Sequence, residues 1–259
     1  MRRYDSMARI TTIINQKGGV GKTTTAAALA AGLNLAGRHA LAVDADPQCS
    51  LTYILGAEAD RGTYEAMTGT DAAQLIQDTA QGDLLPGTPA LIGADLEFTK
   101  TGREYILRDA LEPLQGRYSH IVIDCPPQLG ILAVNALTAA DDIIIPMGAD
   151  ILSLQGLGQL HDTINTVKKY CNPRLKIAGL LITRFSKRAV LSRDLADVIA
   201  DQARAINAPV YETMIREGVA VKEAQTLRTS LYQSHPKANP TADYRAFIKE
   251  YLKQEDKRQ

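Results

Sequence analysis

Residues 16–24 read QKGGVGKTT, a short stretch with three glycines and two lysines. A run rich in β-branched residues, ARITTIIN at 8–15, precedes it, and an alanine-rich helical pattern at 22–36 follows it. Gly18, Gly19 and Gly21 allow a sharp turn whose backbone N–H groups point inward and form a nest for an anion. The positive end of the following helix adds to that nest. A strand, a glycine-rich loop and a helix in this order predict a phosphate-binding loop.

The polar residues of the loop have predicted roles in binding a nucleotide. Lys22 is placed to reach the β- and γ-phosphates, and the hydroxyl of Thr23 is placed to ligate Mg²⁺, which prefers oxygen ligands. The hydroxyl or the N–H of Thr24 is placed to hold the α-phosphate. Gln16 stands where the standard pattern has glycine, so the loop is a variant with an additional lysine, Lys17. The predicted nucleotide-binding loop comprises Lys17, Gly18, Gly19, Val20, Gly21, Lys22, Thr23 and Thr24.

Short apolar runs alternate with helical patterns along the chain. Runs that are apolar on both faces and separated by helices indicate a parallel sheet buried on both sides. We therefore predict an α/β fold of the P-loop NTPase type, with a mostly parallel sheet covered by helices on both faces. We predict one domain over 1–259, with 1–7 as an extension. The predicted strands are 8–15, 39–46, 120–127, 141–147, 176–183 and 208–214, the predicted helices are 22–36, 151–170, 189–206, 219–228 and 241–254, and 62–115 is predicted to form mostly polar helical segments.

Three aspartates follow the predicted strands closely. Asp44 and Asp46 end the second strand, and Asp124 ends the third. Carboxylates at the C-terminal ends of parallel strands face the ligand crevice, so we expect Asp124 to hold Mg²⁺ through water. Asp44 and Asp46 alternate along a strand and point to opposite faces unless the strand has already ended. One of the two is expected to face the γ-phosphate, and Asp44 stays open as a further contact of Mg²⁺.

Composition limits the classes of protein that this chain can be. Its 259 residues carry 29 basic and 29 acidic side chains, so binding to nucleic acid requires a local patch and not bulk charge. Cys49, Cys125 and Cys171 are far apart and form no C-x-x-C pair, which favours a reducing cytoplasm over a disulfide framework or a zinc site. No apolar run is typical of a signal peptide or approaches the roughly 20 residues that span a bilayer.

Four segments together resemble the ParA/MinD group of P-loop ATPases, and within it the ParA/Soj-type partition ATPases. They read KGGVGKTT in the loop, DADPQCSLT at 44–52, DCPP at 124–127 and IREGVAVKEAQ at 215–225, and the resemblance runs over about 8–255. It implies an ATPase of weak intrinsic turnover that uses ATP and Mg²⁺. ATP drives formation of a homodimer that sandwiches the nucleotides. In that dimer Lys17 reaches the partner's phosphates, and Asp46 orients the attacking water.

The resemblance also implies where the base and DNA bind. The adenine neighbourhood falls near Thr183 and Ile215, although Arg216 stands where the family often has proline. Residues 184–193 carry four basic side chains and no acid, and Arg188 takes the position of a DNA-contact arginine. Sequence-independent DNA binding, a ParB-like centromere-binding partner that stimulates hydrolysis, and a nucleoid-associated place in the cytoplasm are expected. Too few residues precede the loop for an N-terminal helix-turn-helix domain. The predicted DNA contacts are Arg184, Lys187, Arg188 and Arg193.

Other functions remain open on the sequence. A MinD-like or other cargo-positioning ATPase that does not act on DNA is the main alternative. Its membrane helix has a counterpart in the apolar stripe of residues 244–252, which we interpret as docking onto the domain's own core because the opposite face is mixed in charge. An iron–sulfur cluster shared through Cys49 and Cys125 does not fit their positions. A nucleotide-dependent metabolic enzyme needs further substrate residues near the γ-phosphate, and none are evident. The cargo and the identity of the partner are not encoded in any residue that we recognise.

Overall fold

The computed structural model describes residues 7–149, 156–186 and 190–257, with the backbone alone for 190–194. These residues contain a seven-stranded sheet in the order β3-β4-β2-β5-β1-β6-β7, in which every neighbouring pair is parallel except β3 and β4. The fold is therefore α/β and mostly parallel, as predicted. The strands are β1 (Arg9–Ile13), β2 (Ala40–Asp44), β3 (Gln77–Thr79), β4 (Gly82–Leu85), β5 (His120–Asp124), β6 (Asp142–Gly148) and β7 (Lys176–Thr183).

Helices cover both faces of the sheet because neighbouring residues of each strand point to opposite sides. In β2, Ala42 packs into one hydrophobic core, while Leu41 and Val43 pack into another. The first core includes α1 and α11, and the second includes α6 and α7. The helices are α1 (Lys22–Leu35), α2 (Ser50–Leu55), α3 (Thr63–Met67), α4 (Ala94–Glu97), α5 (Ile106–Leu111), α6 (Ile131–Ala139), α7 (Leu157–Tyr170), α8 (Val190–Ala205), α9 (Val219–Thr226), α10 (Leu231–Ser234) and α11 (Asn239–Asp256).

The region 62–115 differs from its prediction. Besides short helices it contains β3 and β4, which form an antiparallel hairpin at one edge of the sheet. The sequence QDT of β3 is polar and at most half-buried, so it lacks the apolar pattern that marks a buried strand. The prediction of helical segments alone was wrong for this part of the chain.

The prediction of a sixth strand at 208–214 was also wrong. This segment runs beside β7 but forms only an isolated bridge between Leu180 and Val210. The N–H of Tyr211 bonds to the carbonyl of Leu180, and the next N–H that bonds to β7 is that of Ile215, to the carbonyl of Ile182. Between these two bonds the segment advances by four residues and β7 by only two. A regular ladder cannot continue through that bulge.

Candidate nucleotide site

The phosphate-binding loop lies where the sequence predicts it, between the end of β1 and the start of α1. Gly19 and Gly21 have φ angles of 74° and 87°, in the left-handed region that favours glycine. Gly21 occupies the N-cap position of α1, and no side chain caps this helix end. The first N–H groups of α1 are thereby left for an anion, at the positive end of the helix.

Two polar side chains anchor the loop to the sheet. Asn15 accepts a hydrogen bond from the N–H of Lys17 at 3.0 Å and donates one to the carbonyl of Pro146 at 2.7 Å. The hydroxyl of Thr183, at the end of β7, lies 2.7 Å from the carbonyl of Val20. Thr183 was predicted to lie near adenine. The structure places it against the phosphate loop, where its hydroxyl holds the backbone of that loop.

Lys22 is a buried cation at the base of the loop. Its side chain is 7% exposed, and its ammonium donates a hydrogen bond to the carbonyl of Lys17 at 3.1 Å. Burial lowers the pKa of Lys22, while the charges of Asp124, Cys125 and Asp46 act in the opposite direction. A buried ammonium beside a row of free N–H groups is suited to hold a multiply charged phosphate.

Asp124 presents a carboxylate that the protein itself leaves unsatisfied. It ends β5, is fully buried, and neither of its oxygens has a well-aligned hydrogen-bond partner among the described residues. Burial and the charge of Asp44 raise its pKa well above the usual range, although the nearby Thr23 hydroxyl lowers it in part. A buried polar group without a partner costs free energy, so this carboxylate fits a ligand such as hydrated Mg²⁺.

Asp44 and Asp46 separate into two different roles. β2 ends at Asp44, so the alternation of a strand does not extend to Asp46. One oxygen of Asp44 accepts bonds from the N–H and the hydroxyl of Thr52, each at 2.8 Å, and the other accepts the N–H of Asp46. Burial is the main reason that the pKa of Asp44 rises to about 6. Asp44 therefore holds the start of α2, which leaves it poorly placed for Mg²⁺.

Asp46 instead faces an open cleft together with the phosphate loop. Its carboxylate accepts the N–H of Gln48 at 2.9 Å, which fixes the turn that follows β2. The cleft opens to solvent, and the empty space in and in front of it is about 1380 Å³. Its lining is formed by the phosphate loop, by the turn after β2, by Thr183 and Arg184, and by residues between Ile215 and Gln225, which are Ile215, Arg216, Glu217, Gly218, Val221, Lys222 and Gln225.

Known proteins resemble this chain over almost its whole length. A family profile described as an AAA domain matches residues 8–177. The chain is 38% identical to the chromosome partitioning protein ParA of Myxococcus xanthus, with 98% of the chain and 91% of that protein covered. It is 37% identical to the sporulation initiation inhibitor protein Soj of Bacillus subtilis, with 94% and 98% covered. The chain belongs to the ParA/Soj family of P-loop partition ATPases.

A solved structure with a different name shares the fold. Cobyrinic acid a,c-diamide synthase from Mycobacterium smegmatis, crystallised with bound ADP and magnesium, superposes with a TM-score of 0.86. It is 35% identical, and the match covers 98% of this chain and 97% of that one. The P-loop NTPase type of fold is therefore confirmed.

The predicted DNA contacts of this family member are only partly described. Arg184 lies in the nucleotide cleft with φ of 55°, donates to the carbonyl of Gly19 at 3.4 Å and pairs with Glu217 at 3.2 Å. Its predicted place on a DNA surface thus coincides with the rim of the nucleotide site. Lys187 and Arg188 lie outside the described residues, as does the side chain of Arg193 in α8.

The structure adds residues to the cleft that motif reasoning missed. Gln225 of α9 donates to the hydroxyl of Thr24 at 2.9 Å, and Tyr244 of α11 lines the cleft while contacting the hydroxyl of Thr25 at 3.2 Å. Gln225 ends the quoted family segment 215–225, which was a signal for its involvement. Tyr244 was assigned to the apolar stripe of the last helix, and nothing in that pattern indicates a place beside a nucleotide.

The remaining expectations concern the last helix and the cysteines. Tyr244, Phe247, Ile248 and Tyr251 are buried in the core that contains α1, so the stripe docks onto the protein as predicted. Across residues 7–149, 156–186 and 190–257, every helix is too short or too polar to cross a bilayer. Burial raises the pKa of the Cys49 thiol to about 11, which favours an inert thiol.

Proposed function

We propose that this protein is a DNA-partition ATPase that binds ATP with Mg²⁺ and pairs with a second copy around the nucleotides. The ATP-bound dimer holds DNA without regard to sequence and leaves it after hydrolysis. The observation that carries the proposal is the unsatisfied carboxylate of Asp124, which shares one site with the buried ammonium of Lys22 and the glycine-rich loop. Such a set is suited to a metal–polyphosphate and to little else.

Each residue of the site then has a task in binding. The N–H groups of the loop and the start of α1 surround the phosphates, and Lys22 neutralises the β- and γ-phosphates. Asp124 and the Thr23 hydroxyl would hold Mg²⁺, which prefers oxygen ligands, with Asp124 acting through water. When bound, Mg²⁺ neutralises charge that develops on the phosphate oxygens. Ile215 and the residues after it face the base.

Hydrolysis requires a positioned water and one further cation. Asp46 lies in the same cleft and is fixed by its bond to the N–H of Gln48, so its carboxylate can orient the attacking water. Lys17, supplied by the partner copy, stabilises charge in the transition state in the way that an arginine finger does. Because both sites need a partner, hydrolysis depends on dimerisation, and the turnover of the protein alone is expected to be slow.

The basic run at 184–193 is the proposed DNA surface. Phosphate contacts alone give binding that is independent of sequence and sensitive to salt. A symmetric dimer presents two such runs to one duplex, so ATP strengthens binding through avidity. We expect the ATPase in the cytoplasm, associated with the nucleoid. A ParB-like centromere-binding protein that stimulates hydrolysis would then clear it locally from the nucleoid.

A salt titration of DNA binding with ATP and with ADP tests the proposal. We expect retention on a duplex of arbitrary sequence with ATP and little with ADP. If each copy neutralises about three phosphates, the slope of log affinity against log salt is about −3 per copy and doubles in the dimer. Arg188→Glu should abolish DNA retention and keep the ATP-dependent dimer, whereas Arg204→Glu, an exposed control on α8, should retain DNA.

Two results would count against the proposal. Equal DNA binding with ATP and ADP would break the nucleotide switch, and an ATP-dependent dimer that ignores DNA would favour a cargo-positioning ATPase of another kind. The resemblance to cobyrinic acid a,c-diamide synthase offers a second candidate, a ligase that spends ATP on amide formation. A ligase should hydrolyse ATP only when its acid and its nitrogen donor are present. Hydrolysis stimulated by DNA and by a ParB-like partner would exclude that behaviour.

A further inference from the structure

The last helix holds one wall of the nucleotide cleft through two carboxylates. Glu250 accepts the N–H groups of Glu212 and Thr213 at 2.7 and 3.0 Å, where the chain bulges away from β7. About two turns earlier in α11, Asp243 accepts a hydrogen bond from the backbone N–H of Arg216 at 2.9 Å. Three backbone donors of this segment that β7 does not satisfy are thus satisfied by α11.

Asp243 also binds the side chain of Arg216. The guanidinium donates from Nε at 2.8 Å and from Nη2 at 2.6 Å to the two oxygens of the carboxylate, which is the paired geometry of a bidentate contact. The two side chains are 27% and 13% exposed, whereas those of Arg184 and Glu217 on the same rim are 57% and 54% exposed. The hydrogen bonds that Arg216 donates to Asp243 raise the pKa of Arg216. This pair is therefore a more rigid link than the exposed one beside it.

The pair of Asp243 and Arg216, called the clamp below, lies next to residues that line the cleft. Ile215, Arg216, Glu217 and Gly218 line the cleft, as does Asp46. Tyr244, the residue after Asp243, lines the cleft as well. Arg216 supplies both the backbone N–H and the guanidinium that Asp243 binds.

We propose that Asp243 and Arg216 are positioning residues that set the 215–218 wall of the cleft and so determine affinity for the base end of the nucleotide. The inference rests on the proposed binding of ATP. In the proposed site the phosphates are held by the loop and by Lys22, whereas Asp243 and Arg216 hold the wall that Ile215 begins. Loosening this wall should therefore weaken contacts to the base more than it weakens binding of the phosphates.

Titration calorimetry with ATP, GTP and inorganic triphosphate tests the clamp. We expect Asp243→Asn and Arg216→Gln each to weaken ATP binding about tenfold, the effect of losing a charge-assisted hydrogen-bond pair. Triphosphate affinity should stay as in the wild type, and the preference for ATP over GTP should shrink. The double variant should be no weaker than the weaker single variant, because both changes break one contact. Asp201→Asn, which removes an exposed ion-pair partner on α8, is the control of matched charge.

The results of these measurements separate the possibilities. Unchanged ATP affinity in a folded Asp243→Asn protein would overturn the clamp, and so would an equal loss for ATP and triphosphate. If Asp243→Asn does not fold, Arg216→Lys replaces it, since lysine keeps the charge but cannot form the paired contact. An intermediate loss of ATP affinity supports the clamp there, and wild-type affinity overturns it. Absence of ATP binding in the wild-type protein would instead overturn the proposed function itself.

Discussion

At the scale of single residues, the site combines a cation and an acid that the fold holds apart from water. Lys22 and Asp124 are both buried. Burial lowers the pKa of Lys22 and raises that of Asp124, so it favours the neutral form of each side chain. Burying both groups costs free energy, because the carboxylate of Asp124 has no well-aligned hydrogen-bond partner among the described residues. A bound metal–polyphosphate recovers that cost, which explains why the side chains are arranged before any ligand arrives.

Lys22→Ala tests the cation. We expect ATP affinity to fall at least about 30-fold, since removing one partner of a buried charge contact costs about 2–5 kcal/mol. Equilibrium binding of ATP is the measurement, and Lys168→Ala, an exposed lysine of α7, serves as the control. Affinity close to that of the wild type in Lys22→Ala would contradict the assignment.

Asp46→Ala separates binding from hydrolysis. The variant should bind ATP, because the loop and Lys22 are intact, and should hydrolyse it about 10²–10⁴-fold more slowly if Asp46 orients water. The ATP-bound dimer should then persist, as light scattering after size exclusion would show. Asp46→Asn keeps an acceptor for the N–H of Gln48 and controls for the turn. Unchanged turnover in both variants would assign the water to another group.

At the scale of elements, α1 and α11 pack closely around one glycine. A Cβ added at Gly32 of α1 would overlap Cδ1 of Ile248 and would lie 2.9 Å from the hydroxyl of Tyr232. Ile248 belongs to the helix that also carries Asp243 and Tyr244. The helix that starts the phosphate site and the helix that holds the cleft wall are thus one packed unit.

Gly32→Ala pits helix propensity against this contact. Alanine stabilises a helix interior by about 1 kcal/mol relative to glycine. Overpacking a core costs about 1–3 kcal/mol, so we expect a net loss in the free energy of unfolding. In an Ile248→Ala background the room exists, and the same change should become neutral or stabilising. Urea unfolding measures all four proteins, and a stabilised Gly32→Ala in the wild-type background would disprove the close packing.

At the scale of the whole molecule, the parallel sheet brings segments that are distant in sequence together at the C-terminal ends of its strands. Asp44 and Asp124 are register partners on β2 and β5, and β1 delivers the phosphate loop beside them. Both hydrophobic cores pack on this one sheet, which supports our proposal of a single domain. Each copy then offers a complete binding site and, in the proposed dimer, a Lys17 for the other copy.

Mixing two inactive variants tests whether Lys17 acts in the partner's site. Lys17→Ala should bind ATP and hydrolyse it poorly, and Asp46→Ala should do the same for a different reason. In a mixed dimer one of the two sites has both groups. Random pairing of equal amounts makes half of the dimers mixed, so activity should recover to about a quarter of the wild-type rate. No recovery at any ratio would place the action of Lys17 within its own subunit.

The chain's local patterns were enough for the central part of the protein. The phosphate loop was predictable because its glycines, its lysines and the flanking strand and helix are neighbours in sequence. β1, β2, β5, β6 and β7 were predictable because each is an apolar run bounded by polar residues, as a strand buried on both faces must be. The stripe on α11 likewise identified the face that docks. These features depend on side chains within a few residues of one another.

Tertiary structure alone decided what depends on distant partners. β3 is polar, so only its pairing with β4 makes it a strand. The apolar run at 208–214 has the composition of a strand, yet Glu250, 38 residues from Glu212, accepts a donor that a sheet ladder would otherwise use. Asp44 and Asp46 look alike in sequence, and the placement of Thr52 against Asp44 separates them. In each case a hydrogen bond to a remote group outweighs local preference, because a buried backbone or carboxylate group must be satisfied wherever the fold provides a partner.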